Sequence, residues 1–190
     1  MMVNGGEIWA FVIQWIPDEG KTFKTDEVTF LSKSIIPMKW PVSYDLRTIN
    51  MYLYQSGNSL SLIDACMDTD EAWSLLTHTL AEAGFSLKRL DRILLTHHHM
   101  DHVGLVHRIL EANDIPVYLH PAGIPRVTAD ERLRQTRTAF YGRLYEKAGC
   151  GRAGSEYMRG GFVKRLEQEA ELKIGGRLIP IRSGSVIPVA

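Results

Sequence analysis

The stretch Thr96-His97-His98-His99-Met100-Asp101-His102 limits this chain more than any other. It places four metal-capable side chains, His97, His99, Asp101 and His102, within six residues, directly after the apolar run Ile93-Leu94-Leu95. A short run that is apolar throughout suits a strand covered on both faces, so the cluster falls at the end of a buried strand. Side chains alternate faces in extended backbone, which points His97 and His99 one way and His98 the other. Two imidazoles can then meet one ion. Asp101 and His102 come where the chain turns into a helix, which carries an oxygen and a nitrogen ligand toward the same ion or a second one.

The rest of the chain reads as one α/β unit. Its 190 residues are enough for a single core. With 45% hydrophobic and 23% charged residues and no low-complexity tract, it falls in the globular class. The run Ile8 to Ile16 is too short to span a bilayer and follows Glu7 rather than a basic start, so no membrane span and no signal peptide are read. Cys66 and Cys150 match no paired-thiol spacing, which implies free thiols and a cytoplasmic protein. Formal net charge is zero, but residues 126–190 hold 13 Lys/Arg against 7 Asp/Glu. That basic segment reads first as a solvated helix face and only secondarily as a receiver of an anionic substrate or nucleic acid.

Residues 1–28 form an extension of uncertain structure in which Trp9, Phe11, Ile13 and Trp15 alternate like a strand. From Thr29 a strand is expected to Ile36, then a loop over Pro37 to Asn50, then a hairpin of Met51–Tyr54 and Leu60–Asp64 around Ser56-Gly57-Asn58. Asp68 with Glu71 reads as a reciprocal cap for a helix burying Trp73, Leu76, Leu80 and Ala83, which Gly84 stops. Val103, Val106 and Leu110 mark a second helix, and Pro116–Leu119 a strand. Thr128 with Glu131 reads as a further cap, for a helix whose apolar face is Leu133, Phe140, Leu144 and Ala148. Another helix over Met158–Glu171 and a hairpin of Leu172–Ile174 with Leu178–Ile181 follow.

In content and order, residues 96–102 resemble the His-x-His-x-Asp-His signature of the metallo-β-lactamase superfamily, with Leu62-Ile63-Asp64 and the capped helix in the matching places before it. The resemblance implies a metallo-β-lactamase-like αββα sandwich over residues 29–190, with its first half complete and its second half incomplete. It implies a zinc-dependent hydrolase using metal-bound hydroxide on an ester, thioester, lactone or related bond of a small-molecule substrate. One or two zinc ions would be held, the first by His97 and His99 and the second by Asp101 and His102. Asp101 would also orient the attacking hydroxide, and Asp64 would support the site by hydrogen bonding.

Two departures qualify that picture. The family's Asp-Thr-Gly is here Asp64-Ala65-Cys66, so Cys66 packs beside the site, oxidises there or binds. No histidine occurs beyond His120, so the family's third metal histidine has no counterpart and the chain reads as truncated at its C-terminal end. The alternative reading is therefore a truncated, catalytically impaired metal-binding relative, with part of its second sheet uncovered and prone to self-association. A nucleic-acid-processing member ranks last. His120 reads as an ordinary hydrogen-bonding residue at a strand end, and His78 and His107 as exposed helix residues. Phe140, Tyr141, Tyr145, Tyr157 and Phe162 fit a substrate lid and core packing equally well.

Overall fold

The computed structural model describes residues 28–30, 33–42 and 47–187. The expectations for residues 1–27 lie outside the described residues. One mixed sheet of seven strands, each hydrogen-bonded to the next in chain order, forms the centre. These are β1 (Val28–Phe30), β2 (Lys33–Pro41), β3 (Thr48–Ser56), β4 (Ser59–Ile63), β5 (Arg92–Leu94), β6 (Val117–Leu119) and β7 (Leu178–Pro180). The first four run antiparallel to one another, and β4 to β7 run parallel.

The parallel pairs need crossovers, and the helices supply them. Between β4 and β5 lies α1 (Asp70–Glu82); between β5 and β6 lie α2 (Met100–Val103) and α3 (Val106–Ala112). Before β7 come α4 (Ile124–Val127), α5 (Glu131–Lys147) and α6 (Gly151–Glu171). Alternation on β3 buries Ile49, Met51 and Leu53, and the ladder carries that face through Leu62, Ile93 and Val117. Leu76 and Leu80 of α1 and Val106 and Ile109 of α3 close over it. On the opposite face one row of paired residues, Pro37, Tyr52, Ile63, Leu94, Tyr118 and Ile179, is half-buried.

The layer expected to be complete is present, and the hairpin of β3 and β4 stands where the turn residues put it, with Gly57 at φ +56°. No second sheet occurs among the described residues. Several local expectations are corrected. The single strand from Thr29 is two antiparallel strands, and the loop expected over Pro37 is the continuation of β2. Among the described residues β1 reaches only as far as Ile35, so Pro37 and Pro41 fall where β2 pairs on one side alone, the kind of place in a sheet where proline is tolerated.

Thr69, not Asp68, caps α1 through the Ala72 N–H, which frees Asp68 to hold Arg108 at 2.7 Å. Asp130, not Thr128, caps α5 through the Leu133 N–H. The expected C-terminal hairpin is absent. Leu172 to Ile174 is not a strand, and β7 joins β6 in parallel, because the edge of β6 is free to take it.

α5 and α6 pair with each other away from the core. Phe140 and Leu144 are exposed, while Tyr141 stacks against Phe162 with ring centroids 4.2 Å apart. α6 begins at Gly151, seven residues before the expected Met158. No helix among the described residues is long and apolar enough to cross a membrane.

Candidate metal centre

In sheets with parallel strands, sites form beyond the carboxyl ends of those strands. Here β4 runs into Asp64 and β5 into Leu95 and Thr96. The Asp64 N–H donates to the Leu94 carbonyl at 2.9 Å and the Leu95 N–H to the Tyr118 carbonyl at 2.9 Å, so the two strand ends stay aligned. Asp64 sits at φ +57° and Cys66 at φ +46°, so the chain turns sharply as it leaves β4. The end of α2 is tied to that turn: the Ala65 N–H donates to the His102 carbonyl, and the Gly104 N–H to the Cys66 carbonyl, both at 2.8 Å.

Asp64 organises the site. It is 4% exposed and accepts three hydrogen bonds: from the Thr96 N–H at 2.8 Å, the Thr96 hydroxyl at 2.7 Å and His102 Nδ1 at 2.8 Å. An ionised carboxylate offers acceptors only, so the bond to His102 puts its proton on Nδ1 and leaves Nε2 as the atom available toward Asp101. His102 Nε2 lies 3.5 Å from Asp101 Oδ2. Burial works against the charged form of His102, but the hydrogen bond and charge of Asp64 outweigh it and raise the pKa above the usual histidine value.

His97 and His99 form a second pair, with His97 Nε2 3.1 Å from His99 Nδ1. In a tetrahedral site with metal–nitrogen bonds of about 2.0–2.1 Å, two ligand nitrogens stand about 3.3–3.4 Å apart, close to that separation. His97 Nδ1 faces the Thr96 hydroxyl at 3.1 Å, which leaves Nε2 directed at His99. The ring centroids of His97 and His102 are 4.0 Å apart, so the two pairs adjoin. Burial and the neighbouring His102 and His99 push the His97 pKa down, favouring the neutral form that can act as a ligand.

All four candidate residues thus come together, as two pairs rather than one converging set. No group of three or more His, Cys, Asp or Glu among the described residues has the arrangement of a preformed metal site. Two donors are half of a tetrahedral set, so an ion at either pair would need two further donors.

The remaining candidates fall outside. Cys66 is fully buried in the core with its thiol pKa raised, chiefly by burial, so it packs. His120 accepts from the Ala122 N–H at 3.2 Å. His78 is exposed beside Glu82, whereas His107, expected exposed, is half-buried between the Gly104 carbonyl and Asp68. His98 packs edge-on to His99, ring centroids 5.0 Å apart, and its pKa is lowered to about 4, first by burial and then by Arg126.

Gly104 is the residue that reading along the chain missed. A Cβ there would stand 2.3 Å from the Asp68 nitrogen and 2.7 Å from the Cys66 carbonyl oxygen, so only glycine lets α2 lie against the Asp64 turn. A glycine just after the histidine cluster is the one signal in the sequence for such an approach.

The family profile described as the metallo-beta-lactamase superfamily matches residues 44–184, which include both strand ends and both donor pairs. The chain belongs to the metallo-beta-lactamase superfamily. Within it, the chain is 28% identical over 118 residues to the probable metallo-hydrolase YqjP of Bacillus subtilis, a match covering 62% of this chain and 36% of that protein. It is 50% identical over 48 residues to the probable metallo-hydrolase YflN of the same organism, covering 25% of this chain and 17% of that one. A metallo-beta-lactamase family protein of Thermus thermophilus, TTHA1429, superposes with a TM-score of 0.63 at 27% identity, over 82% of this chain and 48% of that structure. The matches span about a third or less of these curated relatives.

Proposed function

We propose that this superfamily member is a metallo-hydrolase unit that holds zinc at its two donor pairs, the first ion at His97 and His99 and the second at Asp101 and His102. The observation that carries the reading is the approach of His97 Nε2 to His99 Nδ1 at 3.1 Å, beside the Asp64-oriented His102, beyond the ends of parallel strands. When bound, zinc lowers the pKa of a water it holds to about 7 and polarises a substrate oxygen. The chain's own part is orientation. Asp64 fixes the His102 tautomer, Thr96 holds His97, and Asp101 Oδ2, half-buried, is placed to accept a proton from a water between the pairs. The substrate class is an ester, thioester or lactone of a small molecule.

Metal analysis of the purified chain and of His99→Ala tests this. At least one zinc per chain, lost in the variant, together with cleavage of an activated ester, thioester or lactone, is the expected result. Well under one ion per chain with no cleavage would overturn it. A second reading, metal binding without turnover, is favoured by the pairwise grouping, which leaves each ion short of three protein donors. Stoichiometric zinc with no cleavage of any of the three substrate types selects it.

A further inference from the structure

An apolar groove lies along α6 on the side away from the sheet. Tyr157, Met158 and Phe162 line it together with Tyr145 from α5, Gly160 and Gly161 leave its middle bare of side chains, and Lys164 and Arg165 stand at one end, around about 550 Å³ of open space. Tyr157 is 82% exposed and Met158 42%, and Phe140 and Leu144 on α5 are exposed as well. Single exposed apolar side chains are ordinary, but a cluster of them around a groove marks a contact surface.

The two glycines have no role in the chain's own packing. Glycine weakens a helix interior, and a Cβ at either position would meet nothing within 4 Å among the described residues. What bare backbone offers is close approach of another element. The side chains on either side of it follow an order. Lys164 and Arg165 come seven positions after Tyr157 and Met158, two helical turns, so each cation shares a face with one of the apolar residues. Both cations are exposed, and Arg165 reaches Glu169 only at 3.8 Å.

From this geometry we infer that the groove on α6 docks a second copy of this chain, α6 against α6, antiparallel and crossing at Gly160-Gly161. A two-fold axis at the glycines sets Tyr157 of each copy against Lys164 of the other, and Met158 against Arg165, so every pairing is made twice. An ammonium over a tyrosine ring and an arginine stem along a methionine are both favourable contacts. The cations of the two copies stay about 10 Å apart along the helices, at 1.5 Å per residue. A parallel copy would bring cation against cation instead. With its 21 residues α6 is about 31 Å long and about 10 Å wide, roughly 300 Å² per copy against the roughly 800 Å² of a standard interface, so the dimer is weak and reversible. It does not depend on metal at the histidines.

Sedimentation velocity of the full chain, in chelator and reductant, tests it from about 1 to about 500 μM, a range that suits so small an interface. A reversible monomer–dimer equilibrium is expected. Gly161→Gln fills the bare stretch while favouring the helix, so it should weaken the dimer about tenfold or more without lowering the unfolding midpoint. Tyr157→Lys sets cation against cation and should weaken it likewise. For direction, Tyr157→Cys is mixed with Lys164→Cys, each also carrying Cys150→Ser, under mild oxidation; disulfides joining the two variants are expected. A chain that stays monomeric throughout the range overturns the inference, as does a dimer indifferent to Gly161→Gln and Tyr157→Lys. Variants that link only to themselves overturn it too, because an antiparallel crossing keeps like positions apart.

Discussion

Substitution of Asp64 by asparagine probes the centre of the site with almost no change of shape. In the native chain Oδ1 accepts from the Thr96 N–H, while Oδ2 accepts from both the Thr96 hydroxyl and His102 Nδ1. Asparagine keeps the first bond in a weaker, neutral form and turns a donating NH2 toward the other two partners. The Thr96 hydroxyl can rotate to donate to His97 Nδ1, 3.1 Å away. His102 has no such escape: it accepts at Nδ1 only by moving its proton to Nε2, the atom facing Asp101.

With hydrogen bonds to charged groups worth about 1.5–3 kcal/mol and neutral ones about 1, the expected loss is about 2–3 kcal/mol of unfolding free energy. Supporting contacts of this kind also carry about 10–100-fold in metal affinity. The assays are urea unfolding in chelator, zinc titration, and imidazole nitrogen chemical shifts for the His102 tautomer. The pH dependence adds a check. Asp64 raises the folded pKa of His102 above its unfolded value, so that contribution is full below the unfolded pKa, about 6.5, and is lost as pH rises through the folded one. The stability gap between wild type and Asp64→Asn should therefore narrow toward alkaline pH. A variant within 0.5 kcal/mol of wild type, roughly the threshold of surface substitutions, with its His102 tautomer unchanged would refute the reasoning.

Gly104→Ala should cost about 1–3 kcal/mol by overpacking, read by urea unfolding, because the atoms its Cβ meets are backbone and can move only by shifting the Asp64 turn; an unchanged midpoint would contradict this. A thiol-reactive dye should label Cys150 at once and Cys66 only on unfolding, since Cys66 is buried with a raised pKa and Cys150 is exposed; two fast thiols in the native chain would contradict it. His98→Phe should flatten the acid limb of the stability curve relative to wild type. With its folded pKa lowered to about 4, native His98 stays neutral where the unfolded imidazole takes up a proton, so wild-type stability falls as pH drops from about 6.5 toward 4. Parallel curves for the two proteins would argue against that.

What could be read along the chain was whatever its local neighbours decide. The His97/His99 alternation, the apolar run of β5 and the β3–β4 hairpin each depend on residues a few positions apart, where strand periodicity and turn chemistry act directly. The caps lie one or two residues from the expected positions because Asp68 and Thr69, or Thr128 and Asp130, offer equivalent oxygens to a helix start. Packing chose between them: Asp68 was taken up by Arg108, from a different helix. The apolar positions of α5 were legible as a stripe, but the stripe does not say what covers it. In the fold Phe140 and Leu144 of that stripe are exposed to solvent.

The sequence by itself pointed to the superfamily, because His97, His99, Asp101 and His102 lie within six consecutive residues in that family's order. Only the tertiary structure decided how those side chains are held. Asp64 reaches Thr96 across 32 positions and His102 across 38, and Gly104 closes on the backbone of residues 66–68. The same is true of β7, whose partner is the free edge of β6 rather than the adjoining segment Leu172 to Ile174, and of the contact joining Arg137 to Glu169. Such contacts depend on which strand edges and helix faces are left unpaired once the chain has closed, and local periodicity carries no record of that.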